Sequence, residues 1–408
     1  MKMMLALVAA TLVTAAVFVL LPAGPGPSPR PGERLPRPTV SYPAAPSAFD
    51  WPTYGFDSAR THTAPFAPAP PFRVRWKQIG DRSLIEFPPI VVGGRLYVGT
   101  NQGSVFALDA ASGSVVWQRR LARCTAASPA VAGDLLVIGE MGRPHHCDDD
   151  VPAYVAALDL RTGQLRWRYR TRDVETPPLV VGDLVVFGSW DGRVEALDTH
   201  GRLRWSFQTN GAVKAGAALW HATIYIASYD GYVYALDARS GRLRWRTAAG
   251  GRFYATPSVA DGRVIAPTTD GVVHAFAADS GRRLWSRRIG PFAYSAPALA
   301  DGRVFVGSYD HHLYALDART GRVLWTAAGP GPVSGAPTVL AGLVYFSTCG
   351  SCSSYESNPR ARQTFAVDET TGALRWRFPD GEYSPVVTDG IRIYLTGYTA
   401  LYALEPMP

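Results

Sequence analysis

A twelve-residue stretch, Tyr234 to Trp245 (YALDARSGRLRW), recurs in altered form along almost the whole chain. Its copies are FALDAASGSVVW ending at Trp117, AALDLRTGQLRW at Trp167, EALDTHGRLRW at Trp205, HAFAADSGRRLW at Trp285, YALDARTGRVLW at Trp325 and FAVDETTGALRW at Trp376. A truncated copy, YALEP, runs from Tyr402 to Pro406. A period near forty residues marks a repeat architecture, in which each unit buries its apolar face only against its neighbours.

Within one copy, the alternating apolar residues before the Asp fit a half-buried strand. Asp-x-x-Ser/Thr-Gly then fits a tight turn, the carboxylate accepting backbone N–H groups and Gly supplying positive φ. A second short strand carries the Trp. The constant Asp-to-Trp step places each indole in an equivalent socket against the next unit. Two copies deviate: the step from Asp198 to Trp205 is one residue shorter, and Ala277 replaces the Asp before Trp285. Upstream of each hairpin lies another strand pair, as in SAPALADGRVFVGSYDHHLYALD, where Pro297 opens the innermost strand and Asp301-Gly302 turns into the second. Four short strands per unit without helical periodicity describe a propeller blade. The predicted fold is therefore all-β: a propeller of four-stranded antiparallel blades with tryptophan docking. The tryptophans at 76, 117, 167, 205, 245, 285, 325 and 376 count eight blades. Phe72–Ile79 has an outer strand without its hairpin partner, and YALEP has the partner without the outer strand. Together they are expected to close the ring, which removes exposed sheet edges.

Residues 51–408 read as this one domain. Residues 1–21 hold an apolar run, Met4 to Leu21, behind Lys2, and read as a signal peptide or membrane anchor. Residues 22–50 are rich in Pro, Gly and Ala and read as a linker. The expected location is extracytoplasmic, membrane-anchored or secreted, with the membrane reached through the N-terminal segment. The net charge is +8 and nearly all the basic residues are Arg. Many sit in the repeated outer hairpins, so they are expected to form a solvated rim, and their spread around a ring argues against a nucleic-acid groove.

Recognition is expected at the end of the ring where the inter-strand turns vary. Three residues before each Pro-equivalent position stand Glu86, Ala126, Glu175, Lys214, Tyr254, Tyr294, Ser334 and Glu382, and the neighbouring turns add Asn101, Trp190, Tyr229, Thr269, Tyr309, His311 and His312. Together they predict an aromatic and polar funnel; taken singly, the tyrosines can also be read as packing their own turns. Two long insertions, Met141–Pro152 and Cys349–Gln363, fall at the same end and carry Cys147, Cys349 and Cys352, with Cys124 nearby. Disulfides Cys124–Cys147 and Cys349–Cys352 are expected. A metal site from His145, His146, Cys147 and Asp148–Asp150 is disfavoured because an oxidised Cys147 cannot ligate. Cys349-x-x-Cys352 has the spacing of a redox motif, but no βαβ unit surrounds it and the pair is read as structural. No nucleophile–His–acid motif or phosphate-binding Gly loop is present in the sequence.

The ALDxxTGxxxW repeat, covering about residues 51–406, resembles the tryptophan-docking repeat of the PQQ-like propeller family, and WPTYGFDSART resembles the segment opening its dehydrogenase propellers. The resemblance implies an eight-bladed ring and two kinds of function. The dehydrogenase branch implies PQQ with Ca²⁺ in the central funnel and oxidation of an alcohol or sugar; its cofactor ligands match no motif position here, and the acidic funnel residues Glu86, Glu175 and Glu382 are the candidate cation contacts of that reading. That branch also typically carries a disulfide between adjacent cysteines, which this chain lacks. The BamB-like branch implies a non-catalytic scaffold with a protein or peptide partner and no cofactor. The scaffold is the leading expectation.

Overall fold

The computed structural model describes residues 49–79, 87–144, 146–149, 151–352, 358–383, 386–398 and 400–407. The N-terminal apolar run, nearly all of the linker, Glu86, His145 and Asp150 lie outside the described residues. The chain divides into Met1–Pro43 and Ala44–Pro408, and the second unit is the propeller.

Eight sheets form the ring, each with four antiparallel strands in meander order, and one of them gains a fifth, short parallel strand. Blade 4 is typical: Ala218–Trp220, Thr223–Ala227, Tyr232–Asp237 and Leu243–Ala248 from the axis outwards. Numbering follows the chain, so that Trp117, Trp167, Trp205, Trp245, Trp285, Trp325 and Trp376 belong to blades 1 to 7. Blade 8 takes its inner strands Val386–Thr388, Ile393–Thr396 and Ala400–Pro406 from the C-terminus and its outer strand Phe72–Ile79 from near the N-terminus. The ring is thus closed by pairing sequence-distant strands, as expected.

The core lies between blades. Val186, Val194, Ala196 and Trp205 of blade 3 pack with Ile224, Ile226, Tyr234 and Leu236 of blade 4, and blades 4 and 5 repeat the arrangement through Tyr225, Val233, Val264 and Phe276. Second strands such as Thr223–Ala227 are buried along their whole length, because each face meets a neighbouring blade. Outer strands such as Leu243–Ala248 alternate between exposed and half-buried residues.

The tryptophans bind the next blade. Trp205 donates its indole N–H to the Ala238 carbonyl at 3.2 Å, Trp245 to Ala278 at 3.0 Å and Trp285 to Ala318 at 3.0 Å. Trp76, Trp117, Trp167 and Trp325 do the same to Ala110, Leu160, Thr199 and Glu369. Each of these carbonyls belongs to the residue after the Asp-equivalent position. The indole also lies against the turn glycine: a Cβ on Gly241 would stand 2.5 Å from Trp205 Cε3. Gly in that turn therefore serves both its positive φ, +68° at Gly241, and the approach of the indole. Trp376 faces blade 8, whose third and fourth strands are not joined by a turn, and meets the edge of Phe72 instead, at 5.3 Å between ring centroids.

Every outer strand shifts register beside its Trp, as between Ala235 and Leu236 in blade 4. The bulge re-aims the residue before the Trp. Arg244 thereby reaches Asp237 at 2.6 Å and Arg375 reaches Asp368 at 3.0 Å, and Arg166 pairs with Asp159. These rim arginines answer carboxylates of their own blade. Asp237 Oδ1 also accepts the Ser240 amide at 3.0 Å and its hydroxyl at 2.8 Å. Where Ala277 replaces the Asp, the backbone bonds Ala277 N to Arg282 O and Gly281 N to Ala277 O, both 2.8 Å, hold the same turn.

Candidate functional site

The segment from Phe49 to Ala64, which begins two residues inside the expected linker, crosses the axis and touches every blade. Phe49 N bonds Asp389 O of blade 8, Trp51 pairs with Val91 of blade 1, and Pro52 O accepts Val131 N of blade 2. Further along, Ser58, Ala59, Thr61 and His62 carbonyls accept the amides of Leu219, Val259, Leu299 and Val339 in blades 4 to 7. Thr63–Ala64 then adds a short parallel strand to Thr338–Leu340. The innermost strands offer their inner-edge amides to the axis, and this segment satisfies them.

Arg60 is at its centre and wholly buried. Its guanidinium donates to Ala217 O at 2.9 Å and Pro178 O at 3.0 Å, to Thr53 Oγ1 at 2.6 Å, and to Tyr54 O. Burial lowers its pKa to about 10, which leaves the cation intact. Burial, reinforced by Arg60, also pushes His62 down to about 3, so its ring is neutral.

Tyr54 forms the floor of a funnel of about 590 Å³ on one side of this plug. The wall holds an arc of rings: Tyr254 and Tyr294 at 5.3 Å between centroids, Tyr294 and Tyr309 at 5.1 Å, and Phe292 at 6.3 Å from Tyr309. Tyr229 stands 6.5 Å from Tyr254. At one end of the arc Glu175 accepts the Trp190 indole N–H at 3.1 Å and the Tyr254 hydroxyl. The Lys214 ammonium lies 3.7 Å from Glu175 and 3.4 Å from the Trp190 ring centroid, a cation–π contact. At the other end Tyr309 shares a 3.1 Å hydrogen bond with Ser334. Burial, with Glu175 and Tyr294 nearby, pushes the Tyr229 hydroxyl up to about 12, and burial raises Tyr309. These phenols are neutral rings and hydrogen-bonding groups at physiological pH.

Of the expected funnel residues, the structure brings Glu175, Lys214, Tyr254, Tyr294, Tyr309 and Ser334 into the lining, with Trp190 and Tyr229 against them. Ala126 packs instead beside Cys124 and Met141. His311 adopts φ 72° in its turn and is half-buried. Glu382 is not in the lining: its carboxylate is fully buried, accepts Arg362 Nε at 3.0 Å and Ser351 Oγ at 2.8 Å, and lies 3.1 Å from Cys349 Sγ. The inserted loop after Cys349 covers it, which counting from the Pro position does not reveal. Both expected disulfides are formed, Cys124–Cys147 and Cys349–Cys352. Tyr54, Phe87 and Phe292 also line the funnel without having been singled out from the sequence, and Cys352 reaches it from the second inserted loop. The signal for Tyr54 was the aromatic density of Trp51–Phe56, too high for a linker.

Ca²⁺ takes roughly six to eight oxygen ligands at about 2.3–2.6 Å. Among the described residues, Glu175 is the one carboxylate lining the funnel. Both its oxygens are engaged and an ammonium group stands beside it. The described funnel does not fit a divalent cation.

A family model described as outer membrane protein assembly factor BamB matches residues 73–205, 147–223, 190–294 and 269–406. The chain is 31% identical over 153 residues to outer membrane protein assembly factor BamB of Bordetella pertussis, a match covering 37% of each protein. It is 30% identical over 104 residues to polyvinylalcohol dehydrogenase of Sphingopyxis sp., covering 26% of this chain and 15% of that enzyme. These matched stretches span well under half of the relatives' length. Among solved structures, BamB from Moraxella catarrhalis superposes with a TM-score of 0.66 at 18% identity, over 82% of this chain and 100% of that one. The quinohemoprotein alcohol dehydrogenase ADHIIG from Pseudomonas putida HK5 superposes at 0.72 and 14% identity, over 87% and 80%. At such identities the superpositions show a common fold. The family match from residue 73 to residue 406 shows more: the chain belongs to the PQQ-like propeller family described as outer membrane protein assembly factor BamB.

Proposed function

We propose that this protein is a non-catalytic scaffold that works outside the cytoplasm and holds a protein or peptide partner at the funnel face. The observation that carries the reading is the arc of Trp190, Tyr229, Tyr254, Tyr294 and Tyr309 above a floor closed by the protein's own chain. Aromatic rings with polar tips give large contact area at low conformational cost, which is how interface anchors work. The disulfide-bonded loops beside the funnel fit an oxidising compartment. The relatives named outer membrane protein assembly factor BamB support this reading. The alternative, a PQQ- and Ca²⁺-dependent alcohol or sugar dehydrogenase, is disfavoured by the engaged Glu175 carboxylate and its Lys214 neighbour.

The triple variant Tyr254→Ala, Tyr294→Ala, Tyr309→Ala tests this. These rings face the funnel, so the ring should fold while the partner that co-purifies with the native protein is lost, at about 2 kcal/mol or more per anchor ring. Unchanged partner recovery by a folded variant would exclude the funnel as the binding face.

A further inference from the structure

We propose that Cys349–Cys352 is a thiol–disulfide exchange site, which takes a cysteine thiol presented in the funnel.

The two disulfides differ in what they can do. Cys124–Cys147 spans 23 residues, Cys124 is fully buried, and the bond ties the first inserted loop to the blade 2 entry. Cys349–Cys352 spans only 3 residues. So small a ring constrains the unfolded chain far less, which makes it a poor structural staple. Its two sulfurs are also unequal. Cys352 is half-buried and lines the funnel, next to the aromatic arc, its carbonyl 3.5 Å from the Tyr309 hydroxyl. Cys349 is 2% exposed. A thiol entering the funnel therefore meets Cys352, and Cys349 is the leaving sulfur.

Cys349 is provided for in that role. Glu382 Oε1 lies 3.1 Å from Cys349 Sγ, at the distance of a sulfur hydrogen bond. A disulfide sulfur carries no hydrogen, so this contact becomes a hydrogen bond only when Cys349 is a thiol. The carboxylate itself is held without the cysteine by Arg362 Nε at 3.0 Å, Ser351 Oγ at 2.8 Å and Gly350 N at 3.4 Å. The pocket thus has an acceptor aimed at a proton that exists only in the open state.

The exchange balances without an added oxidant. An incoming thiolate bonds to Cys352 Sγ, the Sγ–Sγ bond breaks, and its electron pair leaves on Cys349 Sγ. The proton given up by the incoming thiol returns to Cys349 through Glu382, leaving a mixed disulfide at Cys352 and a thiol at Cys349. In the reverse direction Glu382 takes that proton, the Cys349 thiolate attacks Cys352 Sγ, and the bound thiolate is expelled and reprotonated. Glu382 touches the reacting sulfur and acts as general base in this closing step.

The test uses the full-length protein and glutathione, with no partner present, so its outcome is separate from that of the partner reading. Samples are quenched by acid and alkylation and mapped by peptide mass. The expected product is glutathione on Cys352 with Cys349 alkylated, formed at least about tenfold faster than any opening of Cys124–Cys147. After removal of glutathione, Glu382→Gln should slow reclosure by about tenfold or more. Arg362→Lys, which keeps the charge beside the carboxylate, should retain most of the rate. Equal opening of both disulfides, an adduct on Cys349, or no opening before the ring unfolds would each overturn the proposal. Unchanged reclosure in a folded Glu382→Gln protein would overturn the role of Glu382.

Discussion

Trp205 and Gly241 are two sides of one blade-to-blade contact, and their coupling can be worked out in advance. Trp205 is 8% exposed, packs among Val186, Val194 and Leu236, and donates to Ala238 O. A buried aromatic covers about 200 Å², worth about 5 kcal/mol at roughly 25 cal/mol per Å². Compactness of the unfolded chain trims that by roughly 10–40%, so Trp205→Ala should cost about 3–5 kcal/mol. Gly241→Ala acts from the other side. Its φ of +68° costs a non-glycine residue about 1–2 kcal/mol, and its Cβ would stand 2.5 Å from the indole, adding about 1–3 kcal/mol. In the double variant the indole is gone, so only the φ cost of Gly241→Ala should remain. The two losses should therefore fall short of additive by about 1–3 kcal/mol. Denaturant titrations of the four proteins, followed by circular dichroism under non-reducing conditions, give the coupling. Additivity within about 0.5 kcal/mol would refute docking of the indole on the turn.

Two further perturbations test the ring and its plug. Arg60→Met strands the Ala217, Pro178 and Tyr54 carbonyls, at roughly 1–3 kcal/mol each, so residues 49–64 should become cleavable by a protease under conditions where the native protein resists; equal resistance would deny Arg60 its anchoring role. Stability should also fall in two acid windows. His274, depressed to about 4 by burial, contributes fully above its unfolded value of 6.5 and loses that contribution as pH falls towards 4, and His62 extends the loss towards 3. Asp368, held near 2 by Arg375 and Thr371, contributes above 3.8 and loses it as pH falls towards 2. Thermal unfolding midpoints that stay flat from pH 7 to pH 4 would contradict the first window.

The blades were readable in the sequence because their determinants are local and repeated. Asp237 to Trp245 encodes a turn, a bulged strand and a docking side chain within nine residues. Ring closure was readable because Phe72–Ile79 and Ala400–Pro406 are complementary halves of that same unit. The plug was not, since residues 58–62 bind the blades through backbone carbonyls, which leave no side-chain pattern. Arg60 looks like any surface arginine until its acceptors in blades 3 and 4 are brought to it by the ring. Position counting found Glu175, Lys214 and the tyrosines because equivalent entry positions share one orientation. It misplaced Glu382, because the loop carrying Cys349 and Arg362 folds over that position and supplies partners for the carboxylate.

A photo-crosslinking phenylalanine analogue placed at Tyr309 in living cells, with the same analogue at the rim residue Val323 for comparison, gives the most direct measurement of the partner site. Tyr309 lies in the funnel wall, and Val323 begins the exposed outer strand of blade 6. Discrete protein adducts from Tyr309 and none from Val323 are the expected result. Adducts from Val323 alone would contradict a partner site in the funnel and move it to the outer rim.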